Sequence, residues 1–292
     1  MALTSQHILL NGNFHSETST LFNLFNRALR YGDCITETIH SCASRLCFFD
    51  EHLQNLCKAM KVASMNVPTK FANWEKEFTK EVAKMLTKNR VFKGATVKLM
   101  VFRSSLNSNP TLPDPIEYLA YIESLSDTLA YELNERGLSI DVLEGISKST
   151  GPLSNYDTHD SQIYKTMALK KCATYRLNDI IMLNHKGNVV ETARGCCVFI
   201  KKDNMLMTPP LTDGCPADVM RSKVIKAAEQ IGLSICDKVP IEADMLKKAE
   251  EIFLASTENG IQWVMAYKDR RFLRTTSLSI IKIINEMYSA EE

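Results

Sequence analysis

The sequence predicts a mixed α/β protein of two domains. Three observations carry that expectation. At 292 residues the chain exceeds the roughly 100–200 residues of one ordinary domain. Short β-type runs alternate along it with stretches of helical periodicity. Its composition, 45% hydrophobic and 24% charged, is that of a globular protein with enough apolar material for a core in each domain.

The elements follow in order. An apolar run at residues 7–10 breaks at Asn11-Gly12, a dipeptide suited to a hairpin turn because both residues tolerate positive φ. Residues 52–63 place Leu53, Leu56, Cys57, Met60 and Val62 at near-helical spacing, and Trp74, Phe78, Val82, Met85 and Leu86 form a second stripe. Residues 96–102 alternate apolar and polar, and residues 116–122 read as a further strand after the proline-rich loop at 109–113. Residues 124–128 are polar and poor in large apolar groups, and a domain boundary is placed there, between domains 1–124 and 129–292. Beyond it, residues 162–175 read as a helix, 179–183 as a buried strand, and 196–201 with 205–208 as a hairpin. Val219, Met220, Val224, Ala227, Ala228 and Ile231 give another helical stripe, followed by strands near Leu233 and at 252–255. There is no internal repeat.

Charge and cysteine usage narrow the function classes. Lysine plus arginine (35) nearly balances aspartate plus glutamate (34), so no overall field favours nucleic acid or an anionic membrane. The first residues have no basic start followed by an apolar stretch, and no segment approaches the roughly 18 apolar residues of a membrane span. A cytoplasmic protein is expected. The nine cysteines lie mostly in apolar runs and read as reduced, buried thiols. No Cys-x-x-Cys pair occurs, and adjacent Cys196-Cys197 suit one tetrahedral metal poorly, so no metal site is expected.

Four collinear blocks carry a resemblance. The first is RALRYGDCITET (27–38) with FDEHLQNL (49–56). The second runs from NDIIMLN (178–184) through GNVVE (187–191). MTPPL (207–211) with RSKVI (221–225) is the third, and AEEIFLAS (249–256) with NGIQWV (259–264) the fourth. Together they are similar to the class IV aminotransferases, the pyridoxal-phosphate proteins of fold type IV that include branched-chain and D-amino-acid aminotransferases and aminodeoxychorismate lyase. The resemblance implies a smaller N-terminal α/β domain, a C-terminal α/β pseudo-barrel domain, a cofactor or small anionic ligand between them, and a homodimer.

It also assigns residues. Pyridoxal phosphate acts as an electron sink only through an imine, for which the family supplies one lysine. Counting back roughly 32–34 residues from Glu191, the separation that the resemblance implies, reaches Asp157, Thr158 and His159. SNYDT (154–158) looks like the family's S-N-x-K-T, so Asp157 stands where the lysine would, and a carboxylate cannot form an imine. Lys165, Lys170 and Lys171 follow in the next helix and read as solvated charges. Glu191 matches the partner of the pyridine nitrogen; its alternative is an acidic strand end. The phosphate arginine of H-L-x-R-L is Asn55, a neutral amide in place of a cation suited to a bidentate grip. The glycine ahead of the R-x-x-V-I helix is Ala217, and an asparagine five residues past the glutamate is Cys196. Ser256, Thr257 and the backbone ahead of the Val219 helix can still donate to an anion, or serve as turns and caps.

Arg194 is a new cation that can pair with Asp157 or Glu191 or stand exposed. Cys196 or Cys197 with His159 or His185 as base is a further candidate, as is an acid–base group of Asp157, His159 and Asp160, though packing and loop roles explain the same letters. The reading is a non-catalytic or diverged family member with weak or absent, non-covalent pyridoxal phosphate. The alternative is an active aminotransferase or 4-amino-4-deoxychorismate lyase with a replacement for its lysine.

Overall fold

The computed structural model describes residues 6–22, 24–43, 45–106, 112–126 and 129–289. The chain divides into two compact units, Met1–Ala130 with Asp157–His159, and Tyr131–Tyr156 with Asp160–Glu292.

In the first unit β1 (His7–Leu10) and β2 (Asn13–Ser16) form an antiparallel hairpin with Leu10 opposite Asn13. Its turn is Asn11-Gly12, at φ 49° and 85°, the double positive φ that this dipeptide adopts readily. Next comes α1 (Arg27–Tyr31), where the Asn26 side chain accepts from the N–H groups of Ala28 and Leu29 and Gly32 ends the helix left-handed. Then follow β3 (Cys34–Cys42), β4 (Arg45–Leu46), α2 (Phe49–Val62), α3 (Glu75–Lys88), β5 (Gly94–Arg103) and β6 (Ile116–Ser126). The sheet order is β2-β1-β6-β5-β3-β4.

Both helices bury one stripe. In α2 it consists of Phe49, His52, Leu56, Ala59 and Met60, so Leu53 and Cys57 of the expected stripe lie at its margin and Val62 is exposed. The helix begins earlier than its periodicity suggested, with Asp50 and Glu51 in the first turn where the helix dipole favours them. Beneath α3, Trp74 stacks on Phe71 at 4.2 Å and meets Tyr118 edge-on at 4.7 Å. Of the loop at 109–113, residues 109–111 lie outside the described residues. Of the segment 124–128, residues 124–126 complete β6 and residues 127–128 lie outside the described residues.

The second unit opens with β7 (Leu138–Lys148). The chain then supplies β8 (Asp157–Thr158), which pairs with β3 in the first unit's sheet, and continues into α4 (His159–Thr174). There follow β9 (Asp179–Asn184), β10 (Val189–Thr192), β11 (Cys197–Lys202), β12 (Met205–Met207), α5 (Val219–Gln230), β13 (Ser234–Cys236) and α6 (Ala243–Lys247). The last are β14 (Glu251–Ser256), β15 (Gly260–Tyr267), β16 (Arg270–Arg271) and α7 (Thr276–Ser289). Strand order is β10-β9-β7-β15-β14-β11-β12-β13, with β16 on β15.

β7 runs parallel to both β9 and β15, and α4 lies in the crossover that a parallel β7–β9 pair requires. The expected 196–201 and 205–208 hairpin is β11 on β12, antiparallel. Strands β10 and β14 are buried throughout, as expected of a sheet covered on both faces. One core joins Phe199 and Phe253, stacked at 5.2 Å, to Ile280, Ile281 and Ile284 of α7 and to the inner face of α5. The other gathers Ile140, Ile181, Val198, Ile252 and Val264. Buried Glu251 caps α7, accepting from the N–H groups of Thr275, Thr276 and Ser277 at 2.7–3.1 Å. Among the described residues, no helix is long and apolar enough to cross a membrane.

Candidate functional site

Glu191 lies on β10, only 2% exposed, and meets the ammonium of Lys148 at 2.8 Å. Lys148 is the last residue of β7, opposite Asn184 of β9, so the sheet places it beside β10. A carboxylate so deeply removed from water needs a countercharge, and Lys148 provides it. Sequence reasoning missed this lysine: it belongs to no motif, and β7 carries a weak pattern in which only Ile140 and Leu143 are fully buried.

The loop ahead of α5 is held by Asn155. Its side-chain amide donates to the Leu211 and Cys215 carbonyl oxygens at 2.7 and 2.6 Å, and its own carbonyl accepts the Ala217 N–H at 2.8 Å. Gly214 turns this loop at φ 96°, against Ser154. The N–H of Ala217 is thereby committed to the chain. Asp218 then caps α5, and its Oδ1 accepts the Met220 N–H at 2.7 Å. The same carboxylate accepts from Thr257 twice, Oδ1 from the hydroxyl at 2.8 Å and Oδ2 from the N–H at 3.1 Å. Thr257, singled out as an anion donor, therefore serves an anion of the protein itself. Asp218 was overlooked, although aspartate just before a helical stripe is an N-cap signal. Ser256 accepts from the Asn259 N–H at 3.2 Å and also hydrogen-bonds the Cys196 thiol.

Burial pushes the Cys196 thiol up to about 12, with Asp179 adding to the rise, and its hydrogen-bond partners are Ser256 and Thr192. Cys197 is pushed well up, first by its bond to the Cys215 thiol and then by burial. Burial thus works against the thiolate that a nucleophile needs. Of the proposed bases, His185 is exposed beside Thr150, and His159 belongs with the first unit. Arg194 is exposed and donates to the Asn178 carbonyl at 3.4 Å. Its charge acts on Asp179 and Cys172, and Lys148 is the ion-pair partner of Glu191. The electrostatic neighbourhood is shared, since Cys215 feels both Lys148 and Glu191 while Cys196 feels Asp218. The second unit thus gathers Glu191, Cys196, Ala217, Ser256 and Thr257, and adds Lys148, Asp218 and Cys215.

In the first unit α2 presents His52 and Asn55, one turn apart, to Glu37 on β3. His52 Nδ1 lies 2.6 Å from Oε1 of Glu37, and the Asn55 amide donates to Oε2 at 3.1 Å. Asn55 is therefore bound to an internal carboxylate. Asp157 stands opposite Thr36 in the β3–β8 pair, and with burial it helps push the Cys34 thiol up to about 12. On α4, Lys170 is exposed, as expected of a solvated charge, while Lys171 donates to the Glu144 carbonyl at 2.8 Å. The Lys165 ammonium lies close beside Gly195. A cavity of about 600 Å³, lined by Asp141, Glu144, Gly145, Lys171, Tyr175 and Lys268 among others, opens where β7 bulges and does not include Glu191. Among the described residues, no group of three or more His, Cys, Asp or Glu is placed to hold a metal ion.

Comparison with known proteins adds ancestry to this geometry. Residues 35–267 match the family model described as amino-transferase class IV. A Methanocaldococcus jannaschii protein, named provisionally as a branched-chain-amino-acid aminotransferase, is 26% identical over 262 residues, 86% of this chain and 84% of its own. Among solved structures, the Thermoproteus uzoniensis branched-chain aminotransferase with norvaline superposes with a TM-score of 0.82 at 20% identity, covering 100% of this chain and 97% of the other. A Legionella pneumophila protein, named provisionally as a 4-amino-4-deoxychorismate lyase, gives 0.77 at 16% identity, over 92% of this chain and 96% of the other.

Proposed function

Given that the chain belongs to the class IV aminotransferase family, we propose that it is a diverged, non-catalytic member, a cytoplasmic homodimer whose pyridoxal phosphate binding is weak or lost and never covalent. The observation that carries this reading is the state of the groups the cofactor would need. By the resemblance the amine position falls on Asp157 and the phosphate-arginine position on Asn55, whose amide is spent on Glu37. Thr257 and the Met220 N–H in the first turn of α5 are spent on Asp218. Glu191, which the resemblance matches to the partner of the pyridine nitrogen, already receives a cation from Lys148 at one of its oxygens. These residues do not fit a phosphorylated pyridine aldehyde, so no step through that group is assigned. A homodimer is supported by apolar side chains that the first unit leaves to solvent: Leu24, Phe25, Leu29 and Tyr31 are each more than half exposed.

The test is intact-mass measurement of the protein as isolated, after borohydride reduction without added pyridoxal phosphate. No adduct is expected. An adduct would overturn the proposal, and peptide mapping would say how. A second reading, an active aminotransferase or 4-amino-4-deoxychorismate lyase, has one observation in its favour: Lys148 brings an amine within 2.8 Å of Glu191. A reduced adduct on Lys148, together with turnover of an amino acid or of 4-amino-4-deoxychorismate, would establish that reading. Light scattering that gives a monomer at micromolar concentration would refute the dimer.

A further inference from the structure

We propose that Asp218 is a tethered anion that takes the place of a ligand's phosphate in the second unit, so that the chain rejects phosphorylated ligands by charge as well as by lost contacts. The inference rests on the family reading for the idea that a phosphate once belonged here, but its geometry is independent. A helix start offers unpaired N–H groups and a partial positive charge, the two features that attract phosphate. At α5 the Met220 N–H and the helix charge are met from within. Asp218 draws the Met220 N–H on its own helix together with the hydroxyl and N–H of Thr257, which arrive from the turn between β14 and β15. Three donors from two separate elements thus converge on one carboxylate. An ordinary N-cap needs only the contact within the helix; the two from Thr257 are additional.

A second anion at this place would meet the negative charge of Asp218 and find those three donors taken. Further upstream, the N–H of Ala217 is occupied by the Asn155 carbonyl. Arg221, in the first turn of α5, donates through Nη2 to the Pro209 carbonyl at 3.1 Å and lies 3.7 Å from Asp237, so part of its charge is already met. The ligand class that remains is neutral or cationic at this end.

Inorganic phosphate is the probe that reads this directly, because it contains no carbonyl and its binding is indifferent to imine formation. Titration calorimetry and thermal shift at fixed ionic strength would compare the full-length wild type with Asp218→Asn and Asp218→Gly. Glycine is tolerated at an N-cap and frees all three donors; asparagine removes the charge but still fills the position. Asp218→Gly should bind phosphate roughly tenfold or more tightly than wild type, with Asp218→Asn in between. Adding Thr257→Val to Asp218→Gly should cancel most of the gain. Wild-type binding as tight as that of Asp218→Gly would overturn the proposal, as would a folded Asp218→Gly protein with no gain. If Asp218→Gly fails to fold, Asp218→Asn decides: a gain of roughly threefold supports the tethered anion, and no gain refutes it. A borohydride adduct on the wild type would defeat the functional reading while leaving this phosphate comparison to stand or fall separately.

Discussion

Replacing Lys148 by methionine tests the pairing at the centre of the second unit. Methionine keeps most of the stem's length and apolar bulk, so the change removes mainly the charge. The Lys148 side chain is 12% exposed and that of Glu191 2%, which puts the pair in the range where deleting one partner strands the other, at a cost of about 3–5 kcal/mol. For a domain of this size each kcal/mol lowers the melting temperature by roughly 2–4 °C, so a fall of roughly 6–20 °C is expected. Urea unfolding followed by circular dichroism at pH 7 measures the loss. Glu191→Gln should also destabilise, and the Lys148→Met/Glu191→Gln double variant should lose clearly less than the sum of the two, because no charge is then stranded. Added salt should leave most of the difference intact, since a buried pair is poorly screened. A Lys148→Met protein within about 0.5 kcal/mol of wild type, with an additive double variant, would refute the idea that Lys148 neutralises Glu191.

Further predictions concern titration, backbone and repair. Burial, with His52 as a second cause, lowers His40 from 6.5 to about 4. The unfolded chain therefore takes up this proton first as pH falls, and stability present above about pH 6.5 is lost between there and pH 4, by up to about 3 kcal/mol. His40→Asn should flatten that part of the stability–pH curve measured by urea unfolding; an unchanged slope would contradict the assignment. At Gly260, φ is 64° and a Cβ would sit 2.6 Å from the Tyr131 ring, so Gly260→Ala should cost about 2 kcal/mol or more by thermal unfolding. Asp157→Lys combined with Asn55→Arg should bind pyridoxal phosphate better than either single variant, and Asp218→Gly should strengthen binding further. Visible absorbance and borohydride-stable mass adducts would report both effects, and a folded triple variant no better than the double would count against Asp218 as the obstacle.

Features that depend on near neighbours in the chain were legible. The Asn11-Gly12 turn follows from two residues that accept positive φ, and the apolar stripes of α3 and of α5 as far as Ala228 follow from period, whereas Ile231 ends the helix exposed. The β11–β12 hairpin follows from two short apolar runs around a polar turn. The four blocks pointed to the family because motif order survives along a chain even when single letters change. β7 and α7 were not anticipated. Only Ile140 and Leu143 of β7 are fully buried, and its partners are the parallel strands β9 and β15. The capping group of α7, Glu251, is 24–26 residues away from the N–H groups it receives.

The sequence by itself thus determined the class of fold and the family, since both are written in spacing or in local pattern. Only the tertiary structure decided what the remaining groups do. Lys148 reaches Glu191 because β9 lies between their strands, and Asp218 receives Thr257 from 39 residues further along. Asn55 meets Glu37 because α2 packs over β3. A side chain's type limits which bonds it can make, but a buried charge takes whichever partner the fold brings within about 3 Å, and that partner is set by long-range packing that no local window of sequence contains.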